Sequence, residues 1–281
     1  MKLTSNFINF HKDFNIKEAI DIFAKAGFDG IEFNLDLEEY RTGKHGEEFF
    51  KDLRQYANER GIFFHQAHAP FASSYVEEDK TKARFQEIVN SIKYASWLGV
   101  SMLVVHPCKH ISYKEGDNYS LLMNYNLEFY RALLPYAKEY GVKIAIENIG
   151  GSITELSAGF IELFDTLCDD SFVMCYDIGH ANIIGHNSAE MIRELGARIA
   201  CTHIHDNDGV RDAHTLPYYG NIDWEEAARA FADINYSGNI NYEAGYFISA
   251  VPTELKPKSA VYMAEVGRQL IERIDYYKSL K

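Results

Sequence analysis

The sequence predicts an α/β fold in which one domain, residues 1–281, forms a closed (β/α)8 barrel. Three observations lead to this fold. Eight short apolar or β-branched runs recur along the 281 residues, amphipathic stretches separate them, and several of those stretches end at a glycine. Eight such units in about 250 residues match the size of a (β/α)8 barrel, and no Pro/Gly-rich linker divides the chain.

The eight apolar runs are the predicted strands. They are rich in apolar and β-branched residues, which is typical of parallel strands whose two faces are both covered. Parallel neighbours also need long crossover connections, and the amphipathic stretches are long enough to supply them. In chain order the predicted strands are residues 2–8, 30–33, 62–68, 101–106, 143–147, 172–177, 200–205 and 240–243.

The stretches between the strands predict helices. Five of them carry a helical apolar pattern and are followed at their C-terminal end by glycine, the residue that most easily adopts the left-handed conformation that ends a helix. These predicted helices are residues 16–26, 47–60, 80–98, 118–140 and 188–195.

An open, doubly wound parallel sheet is the competing fold. Its usual dinucleotide-binding signature is a G-x-G-x-x-G loop after an early strand, and the early strand-to-helix turns here lack it. The closed barrel is therefore favoured.

Composition excludes several classes of protein. Twenty-eight Lys and Arg against 41 Asp and Glu give a net charge of −13 at pH 7, which repels polyanions and argues against a nucleic-acid partner. No apolar run reaches the 18 or more residues of a membrane span, so no membrane partner is expected. The first 13 residues lack the apolar core of a secretory signal, and we expect a cytoplasmic protein.

The four cysteines predict neither disulfides nor a thiolate zinc site. Cys108, Cys168, Cys175 and Cys201 are scattered without C-x-x-C spacing. Three of them lie in apolar surroundings, where a reduced thiol packs as a small hydrophobic group.

The ends of the predicted strands carry the candidate site. Apolar residues lead directly into Glu147, Asp177, His203 and Glu243 at the ends of four successive strands, and barrel closure brings such ends together. Three carboxylates buried near one imidazole cost several kcal/mol unless they are paired or bind a cation. Predominantly oxygen ligands suit one divalent ion, with Mn²⁺, Mg²⁺ or Co²⁺ favoured and Zn²⁺ as the alternative.

These strand ends also resemble, in order, the metal-site residues of the xylose-isomerase-like TIM barrel superfamily. Its members include tagatose/psicose 3-epimerases, inosose isomerases and dehydratases, and apurinic endonucleases. The resemblance covers essentially all eight units but does not identify a substrate. The matching motifs are I-A-I-E-N with Glu147, Y-D-I-G-H with Asp177 and His180, T-H-I-H-D with His203, and N-Y-E with Glu243.

For the epimerases, the resemblance implies a metal that grips neighbouring oxygens of a ketose. Glu147 and Glu243 are then the catalytic pair, which removes and returns a proton through a cis-enediolate, and His180 hydrogen-bonds a substrate oxygen. A carboxylate suffices as base because the metal stabilises negative charge on oxygen.

The chain departs from the epimerase pattern at two positions. Where the epimerases commonly have a glutamate after strand five and an arginine after strand seven, this chain has Ile153 and Gly209, and Glu155 and Arg211 are out of register. Ketose 3-epimerisation is therefore one option among several. Dehydration of an inosose, or elimination next to a sugar carbonyl, would use the same metal and base.

The apurinic endonuclease branch offers a second interpretation. It binds three zinc ions, and the resemblance extends to His68 in A-H-A-P, His106 in V-H-P, and the R-D-A-H pair Asp212 and His214. In a sugar enzyme we expect His68 and His106 to bind substrate, as His180 does, while Asp212 and His214 form a possible additional metal site.

Two segments oppose the nuclease. Residues 75–79 are acidic and residues 215–220 are apolar and aromatic, whereas phosphate contacts need Lys or Arg. Taken singly, His68, His106 and His205 are also typical of core histidines bonded to backbone.

A third option is a barrel without catalytic activity, which serves as a binding or structural subunit. The complete set of candidate ligands opposes this option.

We therefore predict a metal-dependent sugar or inosose isomerase or epimerase. The alternatives are a lyase or dehydratase of the same superfamily, or a three-zinc phosphodiesterase. The expected partner is a small sugar or cyclitol, and the sequence leaves open whether the chain forms a homo-oligomer.

Overall fold

Eight parallel β-strands surround a common axis in the computed structural model, which describes residues 1–8, 10–114 and 118–281. Every predicted strand is present, with bounds within two residues of the prediction. The strands are β1 (Leu3–Asn6), β2 (Gly30–Asn34), β3 (Phe63–His68), β4 (Met102–Val105), β5 (Lys143–Glu147), β6 (Phe172–Asp177), β7 (Ile199–His203) and β8 (Ile240–Tyr242).

The strand order confirms the barrel and rules out the doubly wound sheet. Neighbours follow the chain from β1 to β7, and β8 pairs with β1. The last gap closes at Ile204, directly after β7, whose amide donates to the Asn241 carbonyl at 2.8 Å and whose carbonyl accepts from the Glu243 amide at 3.1 Å. The sheet is thus a (β/α)8 TIM barrel.

Helices cover the outside of the barrel. The predicted helix at 47–60 ends two residues early and the one at 80–98 begins two residues early. Within the described residues the helices are α1 (Ile16–Ala26), α2 (Glu38–Arg41), α3 (Glu47–Asn58), α4 (Glu78–Leu98), α5 (Asn118–Tyr140), α6 (Ser157–Leu167), α7 (Ile178–Ile183), α8 (Ser188–Leu195), α9 (Trp224–Asp233), α10 (Gly245–Ser249) and α11 (Lys256–Ser279).

Glycine ends helix α1 as the sequence predicts. Gly27 has φ +92° and its amide donates back to carbonyls of the last turn. A side chain at this backbone conformation would be strained. Gly99 ends α4 in the same way, at φ +80°.

The main apolar core lies between the sheet and the helices, whereas the barrel interior is divided. On β4 to β7 the interior is apolar, lined by Val104, Ala145, Cys175 and Cys201. On β1, β2, β3 and β8 the barrel interior is polar.

All four cysteines are free, and three of them are buried, as predicted. Among the described helices, none is long and apolar enough to cross a membrane.

Candidate metal centre

Four strand ends bring Glu147, Asp177, His203 and Glu243 together. The first three are the last residues of β5, β6 and β7, and Glu243 directly follows β8. The register of β6 and β7 sets Asp177 beside His203. One potential ligand atom from each of the four lies within 4.8 Å of the other three. The residues predicted from the strand ends therefore converge at the C-terminal mouth of the barrel. These four residues form the candidate metal centre.

The Nδ1 atom of His203 lies among the three carboxylates. It lies 3.1 Å from Glu147 Oε1, 3.6 Å from Glu243 Oε2 and 3.8 Å from Asp177 Oδ2. In the described part of the chain, none of the three carboxylates pairs with a lysine or arginine; their ionic partners are histidines. Buried carboxylates this close together need compensating positive charge, from protonated histidines or from a bound cation.

The pKa values of these groups also indicate that the site requires positive charge. Burial by itself raises the pKa of Glu147, but the charges of His203 and His106 hold that pKa well below its ordinary value. Burial lowers the pKa of His203, yet the surrounding carboxylates, Glu243 first, raise it well above its ordinary value. The centre therefore favours positive charge, carried either by protons or by a bound cation.

Unsatisfied buried atoms beside Glu147 fit a metal ion. His68 Nδ1 lies 2.7 Å from the Ala69 carbonyl and donates to it, which in the neutral ring leaves Nε2 as a lone-pair nitrogen aimed at Glu147 Oε2, 3.5 Å away. Neither His68 Nε2 nor Glu147 Oε2 has a hydrogen bond of acceptable geometry. His106 Nε2 approaches the same oxygen to 3.1 Å. A cation among these three residues would satisfy all three atoms.

A further cluster lies beside the first and contains His180, His205, Asp212 and His214, whose potential ligand atoms are again within 4.8 Å of one another. Asp212 Oδ2 lies 3.0 Å from His214 Nε2 and 3.5 Å from His180 Nε2. His205 and His214 stack with ring centroids 4.0 Å apart. The structure thus unites the predicted pair Asp212 and His214 with two more histidines.

His205 was interpreted from the sequence as a core histidine, and it does lie fully buried. Its Nε2 atom contacts Asp177 Oδ1 at 3.0 Å, however, while its Nδ1 has no hydrogen-bond partner. The residue therefore links the two clusters. The alternation in T-H-I-H-D, with both histidines on the inner face of β7 and its extension, was the signal available in the sequence.

Sequence reasoning missed Glu32, on β2. Its carboxylate is fully buried and accepts a hydrogen bond from His203 Nε2 at 2.9 Å. It also accepts from Asn6 Nδ2 at 2.9 Å, from Asn241 Nδ2 at 3.1 Å and from the Gln66 amide. Burial raises the pKa of Glu32, but the charge and hydrogen bond of His203 outweigh it and lower that pKa. A lone acid within the apolar run 30–33 was the only sequence signal.

A cavity of about 280 Å³ opens above the centre. Glu243 and His214 line its inner side, and Phe71 and Tyr246 supply aromatic walls. The Phe71 ring stacks on His106 with centroids 5.3 Å apart and an interplanar angle of 24°. The cavity therefore joins the polar centre to apolar ring faces, as sugar sites commonly do.

Neither out-of-register residue reaches the centre. Glu155 pairs with Lys114 at 2.9 Å and accepts from the Gly151 amide at 2.6 Å. Arg211 is exposed and pairs with Asp208 at 2.9 Å. The departure from the epimerase pattern noted in the sequence is thus also present in the structure.

The family comparison agrees with the fold and with the strand-end residues. The family model described as "Xylose isomerase-like TIM barrel" matches residues 20–261. The chain belongs to this family, as its motifs predicted.

The chain is also similar to individual known proteins. An uncharacterised protein, y4fM, of Sinorhizobium fredii is 27% identical over 256 residues, covering 82% of this chain and 81% of the relative. A D-psicose 3-epimerase of Enterocloster bolteae is 25% identical over 236 residues, covering 79% and 74%. The crystal structure of IOLI protein with a binding zinc atom superposes with a TM-score of 0.79 at 22% identity, covering 99% of both chains, and is similar in fold.

Proposed function

We propose that the protein is a divalent-metal-dependent isomerase or epimerase that moves a proton on a carbon next to the carbonyl of a sugar or cyclitol. One observation carries this proposal: three carboxylates and an imidazole converge within 4.8 Å, and no lysine or arginine of the described residues pairs with those carboxylates. Membership of a family that includes a D-psicose 3-epimerase supports it.

Glu147, Asp177, His203 and Glu243 would hold the ion. Their oxygen-rich set suits Mn²⁺, Mg²⁺ or Co²⁺, and zinc stays an alternative because a solved relative carries it. A bound dication would act as a Lewis acid that stabilises negative charge on a substrate oxygen.

Glu243 and Glu147 are the proposed acid–base pair. The Glu243 side chain is 11% exposed and lines the cavity, where it can reach a substrate C–H. Glu147 lies deeper, held between His106 and His203 at 3.1 Å each, and would serve the opposite face of the carbon. A carboxylate positioned in this way contributes about 10²- to 10⁴-fold to the rate.

His68, His106 and His180 are proposed to hydrogen-bond substrate hydroxyl groups when a single ion is bound. All three have a ring nitrogen within 3.5 Å of Glu147. Phe71 and Tyr246 would pack on the C–H face of the ring. The acidic surroundings disfavour phosphodiesters, in keeping with the net charge of −13.

Solvent exchange tests the proposal. Protein purified without chelator is incubated in D₂O with a panel of ketoses and inososes, and substrate is analysed by NMR. We expect deuterium at one carbon beside the carbonyl, loss of exchange with EDTA, and recovery with Mn²⁺ or Co²⁺. Absence of exchange into every substrate would contradict proton abstraction.

Glu243→Gln should abolish exchange and keep the circular dichroism spectrum of the wild type, because the amide cannot accept the proton. Glu272→Gln on the outer helix α11 is the control, since this exposed glutamate lies outside the centre, and should exchange at the wild-type rate. Wild-type exchange in Glu243→Gln would remove Glu243 from the reaction.

A three-zinc phosphodiesterase is the second candidate, and one observation favours it. Glu147 belongs to two potential metal clusters at once, and the cluster around Asp212 and His214 is a third. Ions bridged in this way are typical of phosphoester hydrolysis. One dication per chain would favour the isomerase. Three zinc ions per chain, together with cleavage of an abasic DNA duplex, would overturn the isomerase proposal.

A lyase or dehydratase would show exchange together with loss of water or a leaving group.

A further inference from the structure

We propose that Glu32 is a positioning residue, which holds His203 in the orientation and tautomer that a cation requires. This role rests on the proposed function, since it needs the strand-end carboxylates to bind a divalent ion. Glu32 faces His203 at Nε2, 2.9 Å away, whereas the strand-end carboxylates approach the other ring nitrogen, Nδ1.

The two nitrogens of His203 face different groups. Nε2 meets Glu32, and Nδ1 meets Glu147 at 3.1 Å. A neutral imidazole carries one N–H. If that proton is on Nε2, it is donated to Glu32 and the Nδ1 lone pair is free for an ion; if it is on Nδ1, the ligand position is blocked. An anionic acceptor at Nε2 therefore selects the ligating tautomer.

Hydrogen bonds from neighbouring strands hold the Glu32 carboxylate in position. Side-chain amides from three strands donate to its carboxylate: Asn6 from β1 and Gln66 from β3, which flank β2, and Asn241 from β8, which lies beyond β1. The register of β2 against β3 shifts between Ile31 and Phe33, at the position of Glu32. With four donors, counting His203, the carboxylate is satisfied as an anion and has no alternative partner to turn towards.

The neighbouring ring of His68 adds a second restraint. It lies nearly parallel to His203, with centroids 5.5 Å apart and an interplanar angle of 17°. Rotation of the His203 ring away from Glu32 would therefore meet His68. The ring is held in plane by packing and in tautomer by Glu32.

Co²⁺ titration monitored by visible absorption tests this role without using activity. We expect Glu32→Gln to weaken Co²⁺ binding about 10- to 100-fold, the usual effect of losing such a partner, and to alter the ligand-field bands. The amide keeps the shape of the side chain but not its charge, and can present N–H to Nε2.

Asp206→Asn is the matched control. Asp206 is another fully buried carboxylate, which accepts from Trp224 Nε1 at 2.7 Å and from two backbone amides. It does not contact the four strand-end ligands, so its loss should lower stability and leave the Kd for Co²⁺ unchanged. Glu32→Asp is the second variant, to be used if Glu32→Gln does not fold: it keeps the charge but is too short to reach His203, and should also bind more weakly.

The outcomes separate the two proposals. Failure of the wild type to bind Co²⁺ would overturn the proposed function and this role with it. Binding by the wild type with an equal Kd in Glu32→Gln or Glu32→Asp would overturn the role of Glu32 alone. Equal weakening in Asp206→Asn would also overturn it, because the effect would then follow from any lost buried charge.

Discussion

Replacing Asp212 by asparagine probes the electrostatics of the histidine cluster in the metal-free protein. His214 Nε2 lies 3.0 Å from Asp212 Oδ2, and its Nδ1 lies 3.7 Å from Glu243 Oε2. Burial lowers the pKa of His214, but the hydrogen bond to Asp212 and the charges of Glu243 and Asp212 raise it from 6.5 to about 9. The protonated ring is thus stabilised by folding.

The size and sign of the effect follow from this pKa. A pKa difference of about 2.5 corresponds to about 3 kcal/mol. Because the folded pKa lies above the unfolded one, this contribution is fully present below pH 6.5 and is lost as the pH rises from 6.5 to about 9. Asp212 is 44% exposed, so solvent screens its share, and we expect Asp212→Asn to cost about 1 kcal/mol at pH 6.

Urea unfolding in EDTA at pH 6.0 and 9.5 measures the free energy, and NMR of the imidazole C–H protons follows the pKa of His214. The cost of Asp212→Asn should be larger at pH 6.0, and the pKa of His214 should fall. Asp208→Asn is the control, since Asp208 is an exposed neighbour paired with Arg211, and it should leave the His214 titration unchanged. An ordinary His214 pKa in the wild type would refute the reasoning.

Two further predictions concern packing around the centre. Gly179→Ala places a β-carbon into the ring of buried His205, and we expect it to cost about 1–3 kcal/mol in urea unfolding at pH 7.5; wild-type stability would contradict the described position of that ring. Trp224→Phe removes the indole N–H that Asp206 accepts at 2.7 Å and should cost about 1–3 kcal/mol in the same assay. No loss would mean that another donor reaches Asp206.

The four central residues were predictable from the sequence for a simple reason. Glu147, Asp177, His203 and Glu243 each end an apolar run, and the carboxyl ends of the strands in a parallel barrel meet at one mouth. Convergence therefore followed from the fold class alone, without knowledge of the register. The same argument predicted where His68 and His106 would lie.

Other parts of the centre depend on register and loop path. Glu32 lies inside a strand, so its orientation depends on the register of β2, which shifts against β3 between Ile31 and Phe33. His205 stacks on His214 only because the loop after β7 folds back, with Asp206 and Thr215 exchanging backbone hydrogen bonds at 2.9 and 3.1 Å. No local pattern specifies either feature, since both depend on contacts between distant segments.

Anomalous diffraction from crystals soaked in Mn²⁺ tests the central claim most directly. We predict an anomalous peak surrounded by Glu147, Asp177, His203 Nδ1 and Glu243, at oxygen and nitrogen distances of about 2.0–2.3 Å. Saturating Mn²⁺ with no peak among these four residues, or with peaks only elsewhere on the surface, would contradict the claim that the strand ends form a metal centre.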